Sequence, residues 1–357
     1  MTVSGTYNQT TFTVDDIIRR ACLRLRIPSA AITAELAQTA LDDLWLWMQE
    51  LTESGIPLWT IEKYIMPLYL GQYIYDLPEK YLDKMGDPVL RTISRAENAD
   101  DEASSSAGGT VANAFDGELT NVFLQTSPAG YVSYDFGTDF SLSMFGYLAA
   151  TTDSTLRLTA EYSDDEVTWV TAIATFNPEA TDGVWALRDV EKVSAHRYWR
   201  LRAMAGTLDC YQLLFGFNSN DTMMGALNRD DYLNQPNKAF QGRPLSYWWD
   251  RQRDSPRVHL WPVPNENFMS VVINVRRQLM DVGSLTDTLD LPKRWLSTVV
   301  ANLALNLVRS GVKHGLDNPA DMQLLVGDAS ATMKKSMGQE EDHMPIRFLP
   351  NIRRYTR

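Results

Sequence analysis

Cysteine is nearly absent, with only Cys22 and Cys210 in 357 residues. The two lie far apart and lack metal-site spacing, which argues against a zinc module and gives little support to a disulfide. Two buried thiols acting as small apolar groups is the expectation. Histidine is scarce too, limited to His196, His259, His314 and His343. None has a second metal-type ligand at helical or hairpin spacing, so each is expected to be structural or at the surface. The chain has no glycine-rich phosphate loop and no nucleophile elbow. No apolar run is long enough to cross a bilayer, and the first residues, MTVSGTYNQTTF, lack the basic start and apolar stretch of a secretory leader. The protein is therefore expected to be soluble and to stay in the cytoplasm where it is made. Basic residues are outnumbered, 33 against 45 acidic ones, for a net charge of −12. That balance argues against a sequence-specific grip on DNA. It suits solubility, or a channel through which DNA slides without sticking.

What is present is ordinary globular composition, 44% hydrophobic and 22% charged, in a chain long enough for two or three domains. The first segment, 1–96, opens with Thr13 as an N-cap and an apolar stripe of Val14, Ile17, Ile18, Ala21, Cys22 and Leu25, stopped by Pro28. A second helix is predicted over 33–54, with Ala37, Ala40, Leu41, Leu44, Trp47, Met48 and Leu51 on one side and Gly55 and Pro57 ending it. Strand-like pieces at 59–66 and 72–77 follow, and a hairpin between them is expected.

The second segment, 97–216, starts with ENADDEASSSAGG at 97–109, which reads as a linker. Short strands and turns succeed it, at 131–136, 156–162, 169–176 and 198–203, with Cys210 ending a further strand; the pattern predicts a β-sandwich. The third segment, 217–343, begins polar and Asn-rich, then gives strands at 245–249, 258–261 and 268–276. Two helices close it. One has Pro292 in its first turn, a stripe of Leu296, Val299, Val300, Leu303 and Leu307, and Gly311 as its stop. The other has Asn318 as cap, Pro319 first and Asp321 third, burying Met322, Leu325, Val326, Ala329 and Met333. The last stretch, 344–357, is MPIRFLPNIRRYTR, an extended basic arm. The flanks thus read as two halves of one α+β domain with a β-domain inserted at a loop.

Chemistry-bearing groups are few. Carboxylate pairs such as Asp42 with Asp43, Asp164 with Asp165 and Asp230 with Asp231 are adjacent, so they point apart and read as solvated surface acids rather than a glycosidase pair. Trp45, Trp47, Trp59, Tyr247, Trp248, Trp249 and Trp261 are mostly core candidates, with any exposed member suited to subunit contacts. The arm interleaves Arg347, Arg353, Arg354 and Arg357 with Phe348, Ile352 and Tyr355, the pattern of a docking strap that orders on binding as well as of a frayed tail.

Two resemblances add to this. IIRRACLRLRI at 17–27, LAQTALDDLWLWMQELTESGIPLW at 36–59, QYIYDLP at 72–78, the run RPLSYWWDRQRDSPRVHLWPVPNENFMSVVINVRRQ at 243–278 and LDLPKRWLSTVVANLALNL at 289–307 together resemble the head-to-tail adaptor family of short-tailed phages, also called tail tubular protein A or gatekeeper connector. The resemblance covers roughly the outer two-thirds of the chain. It implies a non-enzymatic virion protein without cofactor or metal, made in the host cytoplasm and placed in the neck. Such a protein forms a homo-oligomeric ring of twelve copies under the portal protein, extends the DNA channel, helps retain the genome and attaches tail nozzle or fibre proteins. DNA would pass without sequence-specific binding, and extended termini would fasten to the portal. ANAFDGELTNVF at 112–123, GYVSYDFG at 130–137, LTAEYSDDEVTW at 158–169 and HRYWRLRA at 196–203 resemble the discoidin, or coagulation-factor type C, jelly roll, although the cysteines usual there are missing apart from Cys210. The expected fold is α+β: a helical-bundle adaptor body with a small antiparallel sheet, plus an inserted all-β jelly-roll sandwich. Two other functions stay open, a glycan-binding virion decoration protein acting through the sandwich, and a cell-wall hydrolase using surface carboxylates.

Overall fold

The structure, a computed structural model, describes residues 12–53, 58–97, 102–106, 108–191, 193–316 and 318–340. His343 and the whole arm, with Arg347, Phe348, Ile352, Arg353, Arg354, Tyr355 and Arg357, lie outside the described residues. The chain divides into two compact units, residues 1–62 with 276–357, and residues 63–275. Helices are α1 (Val14–Arg24), α2 (Ala34–Glu53), the short α3 (Arg229–Leu233), α4 (Leu296–Arg309) and α5 (Pro319–Glu340). Strands β1 to β5 are Ile61–Pro67, Ile74–Asp76, Tyr81–Lys84, Val89–Arg95 and Ala103–Ser105. Strands β6 to β10 are Tyr131–Phe140, Met144–Ala149, Arg157–Ser163, Val170–Phe176 and Trp185–Asp189. Strands β11 to β16 are His196–Ala205, Cys210–Met223, Gly225–Leu227, Ser246–Asp250, Arg257–Trp261 and Met269–Arg277.

The first unit is built by helices from both chain ends. Thr13 caps α1 through a capping box: its hydroxyl accepts from the Asp16 amide, and the Asp16 carboxylate accepts from the Thr13 amide. The stripe Val14, Ile17, Ile18, Ala21, Cys22 and Leu25 is fully buried against Leu44, Met48 and Leu51 of α2 and Val299, Leu303 and Leu307 of α4. Trp295 at the start of α4 is sealed and packs at a tilt against Trp59, ring centres 5.4 Å apart. On α5 the Asn318 side chain accepts from the Ala320 amide, as its cap position requires. Val326 departs from its expected stripe: next to buried Leu325 but about 100° further round the helix, it is 42% exposed.

The second unit is β-rich. Strands β5-β6-β11-β8-β9 form a five-stranded sheet, and β1-β16-β4-β12-β7-β10, with β3 beside β16, form a seven-stranded one. Both sheets bury side chains in one core, with Val132, Tyr134, Trp199 and Leu201 from the first and Phe145, Tyr147, Leu213 and Phe215 from the second. That is a β-sandwich, as expected from the strand pattern. Strand β7 has all six residues buried, because Phe145 and Tyr147 face the sandwich core while Met144 and Leu148 pack with Trp185, Leu187 and Leu214 on the other side. A third sheet, β13-β14-β15-β2, buries Tyr247, Val258 and Leu260 in a separate cluster.

Several expectations change. The flanking strands divide: β2, β13, β14 and β15 make a small sheet of their own, antiparallel but for the β13–β14 pair, whereas β1, β4 and β16 continue the sheet that holds β7 and β12. The boundaries expected at 96/97 and 216/217 both fall within the second unit, where the amide of Ala96 donates to the carbonyl of Phe215. The strands expected to form a hairpin separate instead, β1 pairing with β16 and β2 with β15. Part of the expected linker is strand β5, whose Ser104 aligns with Ser133 of β6. Cys210 begins a strand rather than ending one, and it and Cys22 are both buried free thiols.

Gly146 lies where any side chain would collide: a Cβ there would sit 2.8 Å from Leu214 Cβ, 2.9 Å from Leu187 and 3.1 Å from Trp185. Gly146→Ala is therefore expected to destabilise the second unit by about 1–3 kcal/mol, the cost of overpacking a filled core. Denaturant unfolding of the full chain measures it, and an unchanged midpoint would refute the packing argument.

Candidate functional site

The sequence HRYWRLRA of β11 alternates. Trp199, Leu201 and Ala203 enter the core, so Tyr198, Arg200 and Arg202 stand on the outer face of the five-stranded sheet. Register extends this into three rows across β6, β11 and β8. They are Tyr131, Arg202 and Thr159, then Ser133, Arg200 and Glu161, then Asp135, Tyr198 and Ser163. Five of these outward polar residues, Ser133, Thr159, Glu161, Ser163 and Arg200, are nevertheless buried.

The β8–β9 loop meets two of them, Ser163 and Arg200. Asp165 accepts from the amides of Val167 (2.9 Å) and Thr168 (2.7 Å) and from the Thr168 hydroxyl, and these donors hold its carboxyl well below the usual carboxylate range. Glu166 takes a left-handed conformation (φ 60°), and its carbonyl accepts from the Trp169 indole N–H at 3.1 Å. The loop thereby lays Trp169 over the sheet. The Arg200 guanidinium carbon lies 4.0 Å from the Trp169 ring centre and 4.7 Å from that of Tyr131, and the two rings are 6.4 Å apart. Arg200 is 8% exposed. Its Nε donates to Glu161 at 2.5 Å, while its terminal nitrogens make no hydrogen bond among the described residues and are not sealed from solvent. Tyr131 and Trp169 are both half-buried. One row away Arg197 grips Asp135 through two bonds of 2.8 Å, which lowers the carboxyl and raises the guanidinium.

The face thus offers aromatic surface, a pre-oriented planar N–H donor and a carboxylate within one strand spacing, the combination that fixes a polar ligand. None of these residues was singled out from sequence as functional. The alternation in β11 could have revealed Arg200 and Arg202, but the position of Trp169 depends on the loop's own turn.

The residues considered earlier have other duties. Asp42 accepts from Gln38, Asp43 from the Ser310 hydroxyl, and Asp230 and Asp231 lie in the first turn of α3. His314 Nδ1 accepts from the Leu316 amide. Asp164, His196 and Ser194 form a chain, with His196 Nδ1 2.8 Å from the carboxylate and Nε2 3.0 Å from the hydroxyl. Its order matches a nucleophilic triad, but Ser194 and Asp164 are exposed, Asp164 by 67% of its side chain, so the water-excluded setting of that chemistry is missing. Trp47 and Tyr247 are core, whereas Trp45 is exposed and donates to Asp281. Among the described residues no group of three potential metal ligands exists.

No protein-family model and no curated protein matches the chain. Among solved structures it is similar to CpGH89CBM32-5 from Clostridium perfringens in complex with GalNAc-β-1,3-galactose, at 14% identity and TM-score 0.28, covering 32% of this chain and 92% of that one. It is also similar to the CBM32 of AlyQ in complex with 4,5-unsaturated mannuronic acid, at 16% identity and TM-score 0.29, covering 33% and 95%. A third is CBM62 from Clostridium thermocellum Xyl5A, at 19% and 0.28, covering 32% and 93%. What this chain binds has to be read from its own side chains.

His259 in β15 is 9% exposed, stacks on Trp248 at 4.4 Å and meets Tyr232 edge-on at 5.1 Å. Among the described residues neither ring nitrogen makes a hydrogen bond, and Asp250 lies 3.7 Å from Nε2. Burial outweighs that carboxylate and pushes the imidazole below its ordinary 6.5. The unfolded chain therefore takes up this proton first as pH falls, so the stability His259 contributes is complete above its ordinary value and is lost as pH drops towards the depressed one. Unfolding free energy is expected to fall between about pH 7 and 5, and to fall less in His259→Phe. Equal slopes in the two proteins would contradict this.

Proposed function

We propose that the protein binds a saccharide on the outer face of the five-stranded sheet, at Tyr131, Arg200 and Trp169. One observation carries the reading: Arg200, a residue more than nine-tenths buried, packs its guanidinium against two half-exposed aromatic rings, and among the described residues only its Nε is engaged. Its terminal donors reach solvent and meet no protein acceptor among the described residues, so they are free to donate to a ligand that carries oxygen acceptors. Sugar hydroxyls and carboxylates supply such acceptors, and the ring surfaces suit the apolar face of a pyranose. Glu161 fixes the guanidinium plane and offers an acceptor of its own. The action is binding alone, with no bond made or broken, and needs no cofactor. The full chain, screened on a glycan array and by calorimetry, is expected to bind a carbohydrate. Trp169→Ala and Arg200→Ala should each weaken binding by tenfold or more, about 1.4 kcal/mol, while circular dichroism stays unchanged. Binding untouched by both changes, or no carbohydrate bound at all, would reject the assignment.

A second reading is favoured by a different observation: helices at the two chain ends share one core around Leu44, Trp295, Val299 and Leu303. A head-to-tail adaptor needs such a body to self-associate beneath a portal. In this reading the protein is a non-enzymatic neck component of a short-tailed phage virion and the saccharide face lies on an accessory domain. The ring would extend the DNA channel, and residues 344–357 would strap it to the portal. Mixing the purified chain with portal rings should give a larger particle by light scattering, and deleting 344–357 should weaken that complex. Persistence of two separate species would count against it.

A further inference from the structure

The helical unit carries two surfaces of opposite character. Between α1 and α4 lies a cleft of about 470 Å³ whose lining includes Phe12, Leu23, Leu296 and Val300 together with Arg20 and Arg24. Leu23 is 57% exposed there. Arg24 pairs with Asp328, but Arg20 lies 4.5 Å over the Phe12 ring and has no carboxylate partner among the described residues. On α2 the exposed ridge reads Glu35, Gln38, Asp42, Trp45, Leu46 and Glu50. Leu46 is 58% exposed, with Asp42 one turn before it and Glu50 one turn after. None of Glu35, Asp42 and Glu50 forms an ion pair among the described residues. A basic cleft with an apolar floor and an acidic ridge with an apolar crest are complementary in charge and in shape class.

We infer that the chain self-associates head to tail, the α2 ridge of one copy seated in the α1–α4 cleft of the next. Leu46 enters the cleft beside Leu23, and Asp42 and Glu50 face Arg20 and Arg24. The ridge and the cleft are different surfaces, so the contact is heterologous and every copy keeps one of each free for a further neighbour. The inference gives a surface to the self-association on which the second reading rests, and it does not depend on saccharide binding.

The test is a charge exchange in the full chain. Arg20→Glu makes the cleft acidic and leaves the ridge acidic; a double Asp42→Arg, Glu50→Arg variant makes the ridge basic and leaves the cleft basic. Each variant alone presents like charges at every contact, and should associate about tenfold or more weakly than wild type. An equimolar mixture presents opposite charges at every contact, so association should return. Sedimentation velocity and light scattering read all three samples, with circular dichroism confirming the fold. Restoration only on mixing supports the interface, and a variant that fails to fold is replaced by the milder Arg20→Gln or Asp42→Asn at lower ionic strength. Variants that assemble as wild type does would overturn the interface while leaving the ring reading to the portal experiment. A wild-type chain that stays monomeric at every concentration would overturn both.

Discussion

Strand β12 has to satisfy two neighbours and two cores at once, and the second unit is arranged around that requirement. Its first half pairs with β7 and its second half with β4. Leu213 and Phe215 point into the sandwich, while Leu214 points into the cluster with Met144, Trp185 and Leu187. A strand covered on both faces cannot afford a polar residue on either unless it is fully bonded. Gln212 meets that condition: its amide group donates to Asn113, Asp116 and Glu118 and its carbonyl accepts from the Gly117 amide, which ties down the loop ahead of β6. The outer face of the opposite sheet is free to carry polar chemistry because the apolar demand is met here.

Charge follows a similar logic. Several carboxylates in partly buried positions sit beside arginines. Arg91 bridges Asp189 and Asp221, and Arg277 bridges Glu62 and Asp290. Planar guanidinium groups serve these places because several donors can be used without bending the side chain. Arg200 differs from both, since among the described residues only one of its donor positions meets a protein acceptor. That contrast, more than its burial, marks it as a group with unfinished business.

The helices were legible in the sequence because their determinants are local. A capping Thr13, a stripe at helical spacing and stops at Pro28 and Gly311 need nothing from the rest of the chain. Strand existence was mostly legible too, but strand partnership was not. β1 joins β16 across some two hundred residues, and nothing in IEKYIMP names that partner. β7 was missed because alternation vanishes when both faces are buried. Of the candidate site, the outward Arg200 was readable from alternation, whereas Trp169 was not. Its position follows from a turn at Asp165 and a left-handed Glu166, which only the folded loop displays.

The two cysteines acquire a use from where they sit. Each compact unit holds one, Cys22 in the helical core and Cys210 at the start of β12, and both are fully shielded with thiols pushed up by burial. Thiolate is the reactive form, so alkylating reagents at neutral pH see neither sulfur until its surroundings open. The rate at which each becomes modified is thus a built-in clock for the breathing of its own unit, readable by mass spectrometry on the unaltered chain.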